Sequence, residues 1–258
     1  MIKIESKDNN LYKETKKLSD RKGRSKTSKF VIEGFRLIEE AYKANLDIEY
    51  IFLSEKAVQN YESYIRTYNN NTTKVYLLSD ILLKDLCKTE KPQGIVAVAS
   101  IKNLDLNLDG DFYLLCDKLQ DPGNLGTIIR TAHAAGVSGI ILTKGTVDVY
   151  NEKTIRASMG SIFHVPIVID NDNIILKNLL SKGFEILATS LEGDKNFFEE
   201  DLSGKIIISV GNEGNGVSSE IYSLSTKKVK IPMPGGAESL NVAIAASIIL
   251  YEKVRQNQ

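Results

Sequence analysis

Three polar segments, far apart in the chain, hold the side chains best suited to chemistry. Asn124 and Arg130 lie in DPGNLGTIIRTAHAAG, Glu213 in SVGNEGNGVS, and Ser239 and Asn241 in IPMPGGAESLNVAIAASIILYE. An arginine is a permanent cation with a rigid fork of five donors, suited to a phosphate or a developing oxyanion. On a helical wheel Ile128, Ala132, Ala135 and Gly136 gather on one face, while Gly126, Arg130 and His133 fall toward the other. Arg130 is therefore either an ordinary surface arginine or a cation, one turn inside a helix, that faces an anion. His133 shares this face only loosely and is left aside as a catalytic candidate. Glu213 follows the apolar KIIISV, and a carboxylate at the end of a buried strand is costly unless paired. Arg130 is its natural partner if the first two segments adjoin; the alternative is a turn residue in water.

The elements that must position these groups repeat one pattern. DFYLLC leads into DKLQDPGNLG, KIIISV into GNEGNG, and KVKIPM into PGGAESLN. Loops at the carboxyl ends of parallel strands are where open α/β sheets put ligands, so three such loops argue for one shared site. None is a GxGxxG fingerprint and no GxxxxGK[ST] occurs, which argues against dinucleotide and P-loop chemistry. The run Leu240 to Leu250, apolar except for Asn241 and Ser247, predicts a buried helix.

Upstream, strands are expected at Phe30–Gly34, Ile48–Ser54, Lys74–Ser79 and Gly94–Ser100, with helices at Phe35–Asn45 and Lys56–Tyr68 and an Asn-rich turn between. This alternation predicts a small α/β domain. Residues 16–29, KKLSDRKGRSKTSK, carry seven basic side chains against Asp20 alone. They read as a flexible basic arm for a polyanion or as a solvated segment. The division expected is arm and small domain over 1–100, a linker over 101–110, and a second α/β domain over 111–258.

Lys plus Arg equals Asp plus Glu at 33 each, so net charge says nothing about a polyanionic partner. The two cysteines, Cys87 and Cys116, lack metal-ligand spacing, so no metal is expected, and both read as reduced thiols of a cytoplasmic protein. No run is long and apolar enough to suggest a membrane span.

The three motifs, in this order and at these separations, resemble those of the SpoU/TrmH family, RNA 2'-O-ribose methyltransferases of the SPOUT class. TIRASMGSIFHVPI also resembles the family, and FVIEGFRLIEEA resembles the start of its small, ribosomal-protein-like RNA-binding domain. The resemblance implies a C-terminal parallel-sheet domain tied in a trefoil knot, a homodimer formed partly by the C-terminal helix, and S-adenosylmethionine as methyl donor. It implies cofactor contacts at Gly211, Ile231 and Leu240, with Thr189 and Ser190 as neighbours. It also gives Arg130 the central catalytic role, with Glu213 orienting it and Asn124, Ser239 and Asn241 fixing its surroundings. Whether Arg130 is base or electrostatic stabiliser stays open. RNA contacts are expected from Lys16, Lys17, Arg21, Lys22, Arg24, Lys26, Lys29 and Arg156. Arg156 and Ser158 each have a plainer reading, as a local surface charge and a turn cap. Family members with such a small domain before the catalytic one more often act on ribosomal RNA, so the resemblance favours ribosomal RNA over tRNA. The competing readings are a non-catalytic RNA-binding or ribosome-assembly protein and an α/β enzyme of another nucleotide.

Overall fold

The computed structural model describes residues 1–64, 73–102, 104–190, 193 and 195–258. The chain forms two compact units, one of Met1–Lys102 with Tyr150–Phe163, the other of Asn103–Val149 with His164–Gln258.

The first unit is built on a five-stranded sheet. Its strands are β1 (Ile2–Ile4), β2 (Lys29–Glu33), β3 (Ile48–Ser54), β4 (Lys74–Leu78) and β5 (Ile95–Ser100), in the spatial order β1-β4-β3-β5-β2. β4 runs parallel to β1 and β3, and β5 runs antiparallel to β3 and β2. Strands β2 to β5 stand where the sequence predicts them. Of the predicted Lys56–Tyr68 helix, Val58–Tyr64 is helical; the rest of it, and most of the Asn-rich turn, lie outside the described residues. Residues 150–163 pack into this unit because Phe30, fully buried on β2, needs a cover: its ring lies 4.9 Å from that of Tyr150 and 6.1 Å from that of Phe163.

The basic arm is a correction. Residues 10–27 form two helices, Asn10–Lys17 capped by Asn9 and Arg21–Thr27 capped by Asp20. Tyr12 and Leu18 join Ile4, Phe52, Leu78 and Leu82 in the sheet's core. Leu11, Tyr12, Thr15 and Leu18 recur at helical spacing, and this stripe outweighs the charges around it. The segment is part of the domain rather than a loose arm.

The second unit is a seven-stranded sheet, all parallel, as the fold class requires. It adds β6 (Phe112–Cys116), β7 (Gly139–Thr143), β8 (Ile167–Asp170), β9 (Glu185–Thr189), β10 (Lys195–Asn196), β11 (Ile206–Val210) and β12 (Lys227–Lys230), ordered β10-β12-β9-β11-β6-β7-β8. The central strands β6, β7 and β11 are buried from end to end, which is why they read as unbroken apolar runs. Two helices, Pro122–Ala135 and Val242–Gln256, pack on each other, joined by a 3.1 Å hydrogen bond between the Thr131 and Ser247 hydroxyls. The C-terminal helix buries Ala243, Ala246, Ile249 and Leu250. Ile244 and Tyr251, on another side of it, stay 52 and 50% exposed, and Leu240, just before the helix, 37%. Among the described residues no helix is long and apolar enough to cross a membrane.

Candidate active site

The parallel register brings the carboxyl ends of β6, β9, β11 and β12 to one edge of the sheet. From β6 the chain enters the Pro122–Ala135 helix through a defined cap: the Asp121 carboxylate accepts from the Asn124 amide at 2.9 Å, with Pro122 in the first turn, where its missing N–H costs nothing. Beside this start lies Glu213. Its carboxylate accepts from the backbone N–H groups of Gln120 and Asp121 and from the Asn124 side-chain amide, each at 3.1 Å. Asn124 passes the link on, since its Oδ1 accepts from the Asn241 side-chain amide at 3.0 Å. Asn241 in turn caps the C-terminal helix through the amides of Ala243 and Ile244. One residue from each motif is thereby tied into a single chain of hydrogen bonds.

The pairing of Glu213 with Arg130 does not form. Glu213 sits beside the helix start, held by the backbone N–H groups of Gln120 and Asp121 in the loop that leads into it, where the helix dipole also favours an anion. Arg130 is nine residues past Asp121 and so about 14 Å along the axis at 1.5 Å per residue. It lies more than two turns inside the helix rather than one. Its guanidinium is exposed, with no hydrogen bond or ion pair among the described residues. Burial pushes the Glu213 carboxyl up, but the bonds from Asn124 and from the backbone of the two loops outweigh it and hold its pKa below the usual carboxylate value.

Beside this chain opens a cleft of about 840 Å³, bounded by the ends of β9, β11 and β12 and the turn before the C-terminal helix. Thr189, Ser190, Gly211, Ile231, Ser239 and Leu240 all line it, as do Glu213 and Asn241; Asn124 and Arg130 do not. The Thr189 hydroxyl donates to the Ser209 carbonyl at 3.2 Å and so ties β9 to β11 beneath the cleft. The volume suits a nucleoside-sized ligand. Ile231, Met233 and Leu240 offer an apolar wall for a flat ring, and Glu213 and Glu238 offer carboxylates for a cationic centre. This donor set fits S-adenosylmethionine. Tyr222 and Met233 line the cleft without having been singled out in the sequence; Met233 lies inside the third motif, but nothing in the pattern around Tyr222 marks it.

The basic candidates divide. Arg24 is only 4% exposed and donates to the Leu18 carbonyl at 2.7 Å, so it is a core residue and not an RNA contact. Lys16 pairs with Asp85 at 2.9 Å and Lys29 with Glu49 at 2.5 Å. Lys17, Arg21, Lys22 and Lys26 are exposed and have no ion pair among the described residues. Arg156, in the Glu152–Ser158 helix, is half-buried, and its Nη1 is buried without a hydrogen-bond partner. Ser158 is fully buried and donates back to the Ile155 carbonyl at 2.8 Å, so it reaches neither RNA nor solvent.

The sequence profile of the SpoU rRNA Methylase family matches residues 111–251, and that of the MRM3-like substrate binding domain matches residues 9–97. The 23S rRNA (guanosine(2553)-2'-O)-methyltransferase RlmP of Bacillus subtilis is 38% identical over 97% of this chain and 98% of its own length. An AdoMet-bound rRNA methyltransferase structure from Sinorhizobium meliloti superposes with a TM-score of 0.86 at 30% identity, covering 99% of this chain and 98% of that one. The AdoMet complex of the SpoU methyltransferase AviRb from Streptomyces viridochromogenes gives a TM-score of 0.87 at 29% identity, over 96% of this chain and 98% of its own.

Proposed function

The chain belongs to the SpoU rRNA Methylase family, and we infer from that membership and from its cleft that it is an S-adenosylmethionine-dependent RNA 2'-O-ribose methyltransferase whose substrate is ribosomal RNA. The observation that carries the reading is the convergence of the second and third motif loops on one cleft, with the Glu213–Asn124–Asn241 chain at its edge. The ribosomal assignment is supported by RlmP, which matches the chain almost from end to end.

The bound cofactor supplies a methyl group on a positively charged sulfur. The chain's own residues do the rest. Gly211, Ile231, Leu240, Thr189 and Ser190 form the walls that hold the donor, and the loops 211–217 and 231–241 are those that the trefoil crossing implied by the family would bring together. A ribose hydroxyl must lose its proton as its oxygen attacks, so negative charge gathers there and needs a cationic or hydrogen-bonding partner. Arg130 has a guanidinium with its donors uncommitted, able to grip the target phosphate and stabilise that oxygen. Guanidinium groups keep their proton in proteins, which favours this role over that of a base. Glu213 does not orient Arg130; it locks Asn124 and the helix start, and Asn241 and Ser239 complete the rim of the cleft.

The RNA-facing surface of the first unit is assigned to Lys17, Arg21, Lys22 and Lys26, with Arg156 as a further donor. The proposed division is a small domain over 1–100, a linker over 101–110 and a catalytic domain over 111–258, except that residues 150–163 group with the first unit. A homodimer is supported by Ile244 and Tyr251, two turns apart on one face of the C-terminal helix and both exposed in the single chain. The free thiols of Cys87 and Cys116 accord with the cytoplasm. Mapping 2'-O-methyl positions across total RNA with and without the gene tests the substrate. A mark missing from ribosomal RNA is expected, and one missing only from tRNA overturns the ribosomal assignment while leaving the chemistry intact. Calorimetry with S-adenosylmethionine tests the site, and no binding at millimolar cofactor would sink it.

A further inference from the structure

Asp117, the residue after β6, is 1% exposed, and no cation pairs with it among the described residues. A core keeps such a carboxyl group only at a cost, so its partners identify what it holds. One oxygen accepts from the Thr143 hydroxyl at the end of β7, at 2.8 Å. The other accepts from the backbone amide of Ser218 at 2.6 Å. Ser218 lies between Val217 and Ser219, both of which line the cleft. The Asp117 amide donates to the Val210 carbonyl at 2.9 Å, so the residue touches both ends of the 211–217 loop.

The next residue strengthens the link. Lys118 has φ 55, a left-handed conformation unfavourable to a side chain with a Cβ. Its amide donates to the Thr143 hydroxyl oxygen at 3.0 Å, and its carbonyl accepts from the Asn212 side chain at 3.0 Å. A strained residue persists where its surroundings over-determine it, and such places cluster at ligand clamps. Here the surroundings are Thr143 and the loop that forms a wall of the cleft.

We propose that Asp117 is a positioning residue that clamps the 211–218 loop into its cofactor-holding shape, anchored by Thr143; this rests on the reading of the cleft as the S-adenosylmethionine site. Asp117 acts through the loop and not on the reacting atoms. Its loss therefore weakens cofactor binding more than it slows the saturated enzyme.

The test uses the full chain and three readouts: calorimetric affinity for S-adenosylmethionine, amide exchange at Ser218 in the cofactor-free protein, and kcat at saturating cofactor. Asp117→Ala removes both bonds and is expected to weaken the cofactor about tenfold, the order of one lost buried hydrogen bond. It should speed Ser218 exchange and leave kcat within about threefold of wild type. Asp117→Asn keeps an oxygen for the Ser218 amide and should recover much of the affinity, while Thr143→Val should move affinity and exchange less, in the same direction. A fall in melting temperature with cofactor affinity and Ser218 exchange both within twofold of wild type overturns the proposal. If Asp117→Ala does not fold, Asp117→Asn and Thr143→Val decide: two variants indistinguishable from wild type in both readouts overturn it equally. Wild-type protein that fails to bind S-adenosylmethionine overturns instead the reading of the cleft, and Ser218 exchange then judges the clamp alone.

Discussion

Gly211→Ala tests the architecture of the cleft most directly. Gly211 is buried at the end of β11, and its φ lies outside the left-handed region, so an alanine there meets only a steric problem. The added Cβ would lie 2.0 Å from the Gly216 carbonyl carbon, 2.1 Å from the Val217 nitrogen and 2.2 Å from the Gly216 oxygen. Ordinary carbon contacts begin near 3.5 Å, so the backbone must retreat by roughly 1.5 Å. Backbone cannot swing aside as a side chain does. The retreat breaks the reciprocal bonds between Asn212 and Gly216, both 2.9 Å, which close the loop. Two hydrogen bonds at about 1 kcal/mol each give about 2 kcal/mol, or about thirtyfold in cofactor Kd if binding must restore the loop. The melting temperature should fall by about 4–8 °C, the scale for a chain of this size, since the loop lies outside the sheet's core. Gly216→Ala is the control: nothing lies within 4 Å of its Cβ, and only its φ of +68° opposes the change. That strain costs about 1 kcal/mol, so its effect on cofactor binding should be clearly the smaller. Titration calorimetry and thermal melts on the purified variants read both quantities. A Gly211→Ala protein that binds S-adenosylmethionine within threefold of wild type would refute the assignment of this loop as a cofactor wall.

Arg130→Ala should leave the fold and cofactor affinity near normal and lower methyl transfer by about 10² or more. Arg130→Lys keeps the charge but loses the fork, so it should lose most activity as well, and full activity in it would remove Arg130 from that role. Replacing Lys17, Arg21, Lys22 and Lys26 together by Gln should weaken RNA binding and reduce the slope of log K against log salt, by at most about 0.7 to 0.9 per phosphate contact. Unchanged salt dependence would make these cations merely solvating. The Glu213 pKa is lowered in the folded chain, so its stabilising contribution is present above the ordinary carboxylate range of about 4.3 and is lost as pH falls through the folded value. The melting-temperature gap between wild type and Glu213→Gln should therefore be constant from pH 6 to 8 and narrow as the pH falls below the ordinary carboxylate range; a gap that does not narrow at any acid pH where the protein stays folded would show that Glu213 holds the loops by something other than its charge.

How much of this was legible in the sequence follows from the range of the forces involved. Strands β3, β6, β9 and β11 are contiguous apolar runs whose burial is decided locally, and they stand close to where their patterns end. The shared cleft was legible in part: parallel strands leave their following loops at one edge, but only the second and third loops line the cleft, and the first reaches it through the bond from Asn124 to Glu213. The partner of Glu213 was not. Charge alone nominates Arg130, but the backbone N–H groups of Gln120 and Asp121, just before the helix, are invisible in side-chain identities, and they, with the Asn124 side chain, take the carboxylate instead.

The basic segment failed for a related reason. Counting seven cations in residues 16–29 treats charge as a property of the stretch, whereas a helix divides a stretch into faces. Asn9 and Asp20 supply the caps, and Tyr12, Thr15, Leu18 and Arg24 turn inward, leaving Lys17, Arg21, Lys22 and Lys26 outside. The same division changes what a truncation means. Removing residues 1–28 takes Ile4, Tyr12 and Leu18 out of the core that holds Phe52 and Leu78, so a truncated protein that loses RNA has first lost its packing. Only substitutions confined to the outward face separate the electrostatic contribution from the structural one, because they remove charge where no core contact goes with it.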